Sequence, residues 1–199
     1  MKIGPKYKIA KRLGPSVFEK TQTQKFALAQ ERRAVVRKRG RGPTEYGRQL
    51  LEKQKVRITY GLTEKQFSKY VENAMRIHAN PAESLHQMIE TRLDNVVYRL
   101  SLAPTRRAAR QMVSHGHITV NGRKTSIPSR PVKVGDVIAV REGSRGRVPF
   151  EGLADRERSL GSWLTFDGKA MTGGITQLPT IEATGPAGDL SSVLSFYSR

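Results

Sequence analysis

The sequence predicts an α+β protein in which helices come first and a small unit of helices and antiparallel strands follows. Between residues 44 and 113, apolar residues recur at the three- and four-residue spacing of amphipathic helices. From Ile118 the pattern alternates, and Asn121-Gly122 stands between two short alternating segments, which indicates a hairpin with a type I′ turn. Residues 92–141 therefore predict two helices, a hairpin and a further strand at Val137–Val140.

The predicted helices have recognisable ends. They cover about residues 26–36, 44–60, 63–78, 80–100 and 105–115. Thr63 and Gln66 have the spacing of a capping box, and Asn80 and Thr105 have side chains that favour helix N-caps. The fourth stretch is long enough for one helix or for two that join near Thr91.

The two ends of the chain show a weaker pattern. Residues 1–44 are rich in Lys, Arg, Gly and Gln, and they show little periodicity beyond the short helix. The run RKRGRGP at 37–43 is interpreted as an extended arm that orders on a phosphate backbone; the alternative is a disordered, solubilising tail. After Gly143 the chain is rich in Gly and Ser, which predicts irregular structure with one or two short strands.

The charge of the chain indicates the kind of partner. The 199 residues include 36 Lys and Arg against 17 Asp and Glu, a formal net charge of +19. Residues 1–60 hold 17 Lys and Arg and 4 Asp and Glu, whereas residues 151–199 hold 4 and 6. This excess predicts nucleic acid as the partner, rather than an anionic membrane, because the most basic stretch lacks an apolar helix face.

Several classes of protein are excluded by what the sequence lacks. It contains no cysteine, so disulfides and thiolate chemistry are excluded. It contains no run of 18 apolar residues, and its first residues lack the apolar segment of a secretory signal. We therefore expect a cytoplasmic protein.

A basic helix and the hairpin after it form the best candidate binding surface. The helix carries three arginines that fan over one face: Arg106, Arg107 and Arg110. The turn and hairpin add His115, His117, Asn121, Arg123 and Lys124. Guanidinium groups bind phosphate oxygens in pairs, and RNA is favoured over DNA because no recognition-helix pattern is present. The simpler alternative is a solvated surface helix.

Neither catalysis nor metal binding is predicted. The Arg-Leu-Asp sequence at 92–94 resembles a motif of pseudouridine synthases, but a catalytic aspartate would need a larger domain around it. A helix cap, or an ion pair with a neighbouring arginine, is the expected role of Asp94. His115 and His117 could bind a metal only with a third ligand, and the other histidines, His78 and His86, stand on separate helical segments. We therefore expect no catalytic residue, metal or cofactor.

Two sets of motifs resemble the family of small-subunit ribosomal protein S4. The first set resembles the RNA-binding module named after that protein, and it comprises RLDNVVYRL at 92–100 and AARQMVSHGHITVNG at 108–122. The second set resembles the rest of the ribosomal protein, and it comprises GPK at 4–6, EKQK at 52–55, YGLTEKQF at 60–67, WL at 163–164 and FYSR at 196–199. The resemblance covers nearly the whole chain.

This resemblance implies an inserted-domain organisation and a ribosomal function. A mostly helical first domain would comprise residues 1–91 completed by 172–199, and the RNA-binding module would comprise 92–171. The family is non-enzymatic; it binds the 5′ domain of small-subunit rRNA, nucleates subunit assembly and influences translational accuracy. The implied partners are neighbouring small-subunit proteins, notably protein five, and mRNA where it enters the ribosome, with no homo-oligomer.

Many members of this family bind zinc through two pairs of N-terminal cysteines. The matching positions here are Tyr7, Ala10, Thr23 and Leu28, none of which supplies a thiolate. The N-terminal arm must therefore be ordered by RNA contact or by local packing.

The side chains expected to bind rRNA come from the arm, the basic helix at 44–60 and the module. They are Lys2, Lys6, Lys8, Lys11, Arg12, Arg37, Arg39, Arg41, Arg48, Lys53, Lys55, Arg106, Arg107, Arg110, His115, His117, Asn121, Arg123 and Lys124. Two alternatives belong to other classes. An RNA-modifying enzyme would need a further catalytic domain of about 150 residues, and a stand-alone RNA chaperone would need no first domain.

Overall fold

The chain forms two compact units. The computed structural model describes residues 3–36, 44–77, 79–152 and 160–198. One unit comprises Met1–Leu85 and Pro186–Arg199, and the other comprises His86–Gly185; they are the first unit and the second unit below. The first unit is helical, and the second combines helices with a five-stranded sheet. The predicted α+β class is confirmed.

The described residues form ten helices and five strands, apart from short 3-10 turns. The helices are α1 (Lys6–Leu13), α2 (Gln24–Val36), α3 (Glu45–Thr59), α4 (Glu64–Met75), α5 (Pro81–Glu90), α6 (Leu93–Arg99), α7 (Arg106–Ser114), α8 (Glu142–Arg145), α9 (Ile181–Thr184) and α10 (Leu190–Tyr197). The strands are β1 (Ile118–Val120), β2 (Arg123–Thr125), β3 (Val137–Val140), β4 (Leu164–Asp167) and β5 (Thr172–Ile175). No described helix is long and apolar enough to cross a membrane.

The predicted helix starts are confirmed by side-chain caps. The Thr44 hydroxyl accepts a hydrogen bond from the Gly47 N–H at 3.2 Å. Thr63 and Gln66 form the reciprocal capping box at the start of α4. Thr105 caps α7 by accepting from the Ala108 N–H at 3.1 Å. These caps satisfy backbone donors that a helix leaves unpaired in its first turn.

The core of the second unit lies between the helix pair α6–α7 and the sheet. The strand order is β2-β1-β3-β5-β4, and every neighbouring pair is antiparallel. One buried cluster joins apolar residues of α6 and α7 to residues of β1, β3, β4 and β5. Asn121 and Gly122, with φ of 51° and 75°, form the predicted hairpin turn. Gly173 allows close packing, because a Cβ there would lie 3.0 Å from Leu100 Cδ2.

The long helical stretch after Asn80 is two helices rather than one. Arg92 has φ −62° and ψ 137°, an extended conformation that ends the first helix and precedes the second. Its neighbours pair with another segment, because the Leu93 N–H donates to the Arg130 carbonyl at 2.9 Å and the Val132 N–H donates to the Thr91 carbonyl at 2.9 Å. Main-chain pairing thus competes with helix formation at residues 91 and 92.

Four of the described helices were not predicted from the sequence: α1, α10 and the one-turn helices α8 and α9. Helix α1 lies in the N-terminal stretch for which no periodicity was visible, because its two buried residues, Ala10 and Leu13, are too few to produce a period. Helix α10 lies in the predicted irregular tail, although Asp189 caps it by accepting from two N–H groups. The two strands expected in the tail are β4 and β5. The proposed arm at 37–43 lies outside the described residues.

The predicted end of the module at 171 differs from the structure. Strand β5 begins at Thr172 and pairs with both β3 and β4, so it belongs to the second unit. The expected boundary at 171 came from the family resemblance and not from the residue pattern of this strand. The compact unit runs from His86 to Gly185.

Candidate nucleic-acid interface

Helix α7 buries one face and exposes the other. Ala109, Met112 and Val113 are buried in the core of the second unit. Arg107 projects from the opposite side, is exposed, and has no side-chain partner among the described residues. Its guanidinium group is therefore available to bind phosphate oxygens.

Arg110 is held by a buried carboxylate. Asp94, whose side chain is 4% exposed, accepts from Arg92 at 3.1 and 2.9 Å and from Arg110 Nε at 2.7 Å. This confirms the expected ion pair of Asp94 with a neighbouring arginine. Because one carboxylate serves two guanidinium groups, the site keeps a positive charge, and Arg110 remains partly exposed.

Arg106 is oriented by a second buried network. Glu90 is fully buried and receives two hydrogen bonds from Arg99, at 2.9 and 2.7 Å. The Asn95 amide donates to Glu90 Oε2 at 2.7 Å, and its oxygen accepts from Arg106 Nε at 2.9 Å. The Arg106 guanidinium group lies 4.4 Å from the centre of the Tyr98 ring. Its orientation is fixed before any ligand binds.

The sequence analysis did not assign roles to Glu90, Asn95 or Arg99. These residues span the break between α5 and α6, so no single helical period relates them. The signal that could have found them is the RLDNVVYR motif itself, in which Asn95 and Arg99 are both polar positions within an apolar helix.

The two histidines of the turn between α7 and β1 differ in exposure. His115 is exposed, as expected for a side chain that binds RNA. His117 is half-buried: its Nδ1 lies 3.0 Å from Ser144 Oγ, and its ring packs edge-on against Phe150. Burial lowers the pKa of His117, and neighbouring positive groups lower it further. His117 therefore packs partly within the fold, and its contact with RNA stays a prediction.

Asn121 also has a structural role. Its amide donates to Asp136 Oδ1 at 2.8 Å and its oxygen accepts from the Val137 N–H at 2.8 Å, so it joins the hairpin turn to the start of β3. Asn121 is nevertheless exposed, and its contact with RNA stays a prediction. Arg123 and Lys124, by contrast, are exposed on β2, which is an edge strand.

Lys53 is the least exposed of the predicted basic residues in the described part of the first unit. It is 9% exposed, its Nζ lies 2.8 Å from Glu64 Oε1, and it sits 4.3 Å from the centre of the Phe196 ring. Tyr197 donates to the same carboxylate oxygen at 2.7 Å. This lysine therefore helps hold α10 against α3 and α4, and its contact with RNA stays a prediction.

The other predicted basic residues of the first unit lie nearer the surface. Lys8, Lys11 and Arg12 are exposed and lie on one face of α1, a basic face that the sequence analysis did not anticipate. Arg48 is exposed on α3, whereas Lys6 and Lys55 are half-buried. Four predicted residues lie outside the described residues: Lys2, Arg37, Arg39 and Arg41. His78 does as well.

Local packing orders the N-terminal segment. Ala10 is fully buried and Tyr7 lies with its ring centre 6.1 Å from that of Phe26. The cluster around them consists of Ala10, Leu13, Val17, Phe18 and Phe26. Over the part of the chain that the structure describes, no group of three potential metal ligands occurs. Apolar contacts thus stand at two of the four positions where other family members are expected to place cysteines, Tyr7 and Ala10, whereas Thr23 and Leu28 are exposed.

The helical first unit and the arginine-bearing second unit define an RNA-binding protein. The family model described as "Ribosomal protein S4/S9 N-terminal domain" matches residues 1–90, and the S4 domain model matches residues 91–138. The chain belongs to the family of small ribosomal subunit protein uS4, which is structural and non-enzymatic.

Relatives match over nearly the whole chain. The small ribosomal subunit protein uS4 of Roseiflexus castenholzii is 42% identical, covering 99% of this chain and 98% of the relative. That of Brevibacillus brevis is 41% identical, covering 98% of each. That of Burkholderia vietnamiensis is 42% identical, covering 99% of this chain and 98% of the relative.

Proposed function

We propose that this chain is a structural component of the small ribosomal subunit and binds its rRNA directly, in the cytoplasm. The observation that carries this proposal is the arrangement of Arg106 and Arg110, each held by a buried polar partner beside the exposed Arg107. Guanidinium groups whose orientation is already fixed lose little side-chain entropy when they bind phosphate. The family membership and the net charge of +19 support the same conclusion.

The finer function is also part of this proposal. The chain binds the 5′ domain of small-subunit rRNA, nucleates assembly there, and influences translational accuracy together with neighbouring proteins, notably protein five. It lies near the mRNA where the message enters the subunit. The inserted-domain organisation, in which both ends of the chain contribute to one domain and the module interrupts it in sequence, belongs to the same proposal. The basic face of α1 supports a multi-site RNA contact, because it adds cations from the first unit.

Electrostatics determines how this binding should respond to salt. Each phosphate that a cation neutralises releases a condensed counterion, so affinity falls steeply as salt concentration rises. The exposed cations of α7 and β2 contact phosphates without reading bases, and recognition then depends on the shape of the folded RNA.

The proposal is tested by filter binding of the full chain to transcripts of the 5′ domain and of another domain of small-subunit rRNA. We expect tight binding to the 5′ domain alone, and weakening by Arg107→Glu. Lys169→Glu is the matched control, because it makes the same charge change at an exposed lysine in the second unit. Equal binding to both transcripts would contradict the 5′-domain assignment, and equal effects of the two variants would contradict the role of α7.

A further inference from the structure

A second group of cations surrounds the turn between α7 and β1. The segment at 141–147, which includes α8, packs against this turn: the Arg141 N–H donates to the His117 carbonyl at 2.8 Å. On the other side, a Cβ on Gly116 would overlap the Lys124 side chain. We name this group the α8 cluster, and its members are His115, Lys124, Arg141 and Arg147.

The charges of the α8 cluster are not balanced by acidic residues. Lys124, Arg141 and Arg147 form no ion pair within the described ranges, and neither do the acidic neighbours Glu142 and Glu151. Lys124 and Arg147 are exposed. The cluster therefore differs from Arg110, whose charge is partly offset by the buried Asp94.

The neighbouring Arg145 differs from Arg141 and Arg147, because its guanidinium group is bound by the fold. Its guanidinium group donates to the Ala170 carbonyl at 3.1 Å and to the Val140 carbonyl at 3.4 Å, so it fastens α8 to the sheet. Arg141 and Arg147 make no such side-chain bonds among the described residues, although the Arg147 N–H donates to the Ser144 carbonyl at 3.1 Å. Hydrogen bonds hold the main chain of these two arginines, whereas their guanidinium groups form no hydrogen bonds with the described residues.

Arg141 carries a donor that needs an acceptor. Its Nε is buried and has no hydrogen-bond partner in the described structure. A buried N–H of a charged group is unfavourable without an acceptor, and an anionic oxygen is the acceptor that would also neutralise the surrounding charge.

The electrostatic effect of the cluster is visible at His117. Burial is the largest cause of its lowered pKa, and four nearby groups add to it. They are Arg147, His115, Arg141 and Lys124, in order of decreasing effect. The positive potential of all four groups thus converges on one point of the turn.

We propose that the α8 cluster binds a backbone phosphate of RNA, as a contact additional to that of α7. This proposal rests on the proposed function. RNA is favoured over an acidic protein surface because His115 directly follows α7, and Lys124 stands next to Arg123 on the exposed strand β2. The cluster therefore continues the basic surface of the same unit, and its guanidinium groups match phosphate oxygens in geometry. Arg141 and Arg147 lie beyond residue 138, where the S4 domain match ends.

The test measures binding of the full chain to small-subunit rRNA across a range of KCl concentrations, for Arg147→Gln, Lys124→Gln and Arg141→Gln. Lys169→Gln is the matched control, because Lys169 is an exposed cation elsewhere in the second unit. We expect each cluster variant to weaken binding roughly 3- to 10-fold and to reduce the salt slope by about 1. The control should leave both values unchanged.

The outcomes separate this proposal from the proposed function. If the unaltered chain fails to bind the rRNA, the proposed function is wrong. If it binds, Arg107→Glu weakens it and the cluster variants match the control, the proposal for the α8 cluster is overturned. Retained rRNA affinity with lost binding to an acidic small-subunit protein would also overturn it. Because the side chains of Arg147 and Lys124 are exposed and make no hydrogen bonds or ion pairs with the described residues, their substitution tests binding even if Arg141→Gln does not fold.

Discussion

The Asn95 side chain joins Arg106 to the buried carboxylate of Glu90. Its oxygen accepts from Arg106 Nε at 2.9 Å, and its nitrogen donates to Glu90 Oε2 at 2.7 Å. The neutral Asn95 amide thus holds Arg106, a cation on the candidate RNA surface, in a fixed position relative to the buried Glu90. The surface cation keeps its charge, which a direct ion pair would partly offset.

Asn95→Leu should weaken rRNA binding roughly fivefold, because Arg106 loses the hydrogen bond that orients it and must be ordered on binding. The net charge of the chain does not change. Binding is measured by filter retention at fixed salt, with circular dichroism to confirm folding. Gln111→Leu, an exposed uncharged position on α7, is the control and should bind normally. If both variants bind like the unaltered chain, Asn95 does not position Arg106 for RNA.

Asp94→Ala should destabilise the second unit by about 3–5 kcal/mol, because it leaves the buried Arg92 without its carboxylate. Urea unfolding followed by circular dichroism measures the change. Glu72→Ala removes an acid from an exposed pair with Arg76 and should cost no more than about 0.5 kcal/mol. Similar losses for both variants would mean that the Asp94 network does not stabilise the unit.

Because folding lowers the pKa of His117, the free energy of unfolding depends on pH. Below pH 6.5, His117 binds a proton more readily in the unfolded chain than in the folded protein. The free energy of unfolding therefore decreases as the pH falls from 6.5 toward the lower pKa of the folded state. Urea unfolding at pH 7 and pH 5 should therefore show a smaller acid loss for His117→Asn than for the unaltered chain. His115→Asn, at an exposed ring, is the comparison and should retain the loss. An equal loss in all three proteins would contradict the interpretation.

Bound RNA should raise the pKa of His117, which the fold alone lowers. A phosphate in the α8 cluster would offset the positive groups around His117, and its pKa would rise. NMR titration of the His117 ring, with and without rRNA fragment, measures this change. An unchanged pKa in the saturated complex would count against a phosphate at this point.

Tyr197→Phe should destabilise the first unit by about 1 kcal/mol, because Glu64 loses the hydroxyl donor that helps hold α10. Burial raises the pKa of Glu64, but hydrogen bonds from Lys53 and Tyr197 outweigh this effect, and the pKa is lowered. The ionised Glu64 therefore stabilises the folded state above pH 4.5, and this stabilisation is lost as the pH falls below that value. Thermal unfolding at pH 7 measures the difference. Tyr46→Phe, at an exposed ring, should have no effect, and equal shifts in both variants would exclude a special role of the Tyr197 hydroxyl.

The sequence predicted the helices that have clear caps and long periods, and it missed those defined by packing. Thr63 and Thr105 identified α4 and α7 because capping is a local interaction. Helix α10 was missed because its burial depends on α3, more than a hundred residues away in the chain. The end of the module was misplaced for a related reason, since β5 is recognised only by its pairing with β3.

The site was predicted less completely than the fold. Charge and spacing identified Arg107, which is exposed as expected. The same criteria selected Lys53 and His117, whose side chains are engaged by Glu64 and Ser144. Sequence spacing gives the charge of a residue but not its nearest partner, because such partners come from distant segments. Arg141 escaped notice because its surroundings are set by the fold of the turn.

The central claim is that this chain assembles into small ribosomal subunits through its RNA-binding cations. The most direct measurement is sedimentation of the tagged chain through a sucrose gradient of cell extract, for the unaltered protein and for the double variant Arg107→Glu with Arg147→Glu. We predict that the unaltered chain sediments with small subunits and that the variant is largely displaced to the top of the gradient. An unaltered chain that remains at the top would contradict the account.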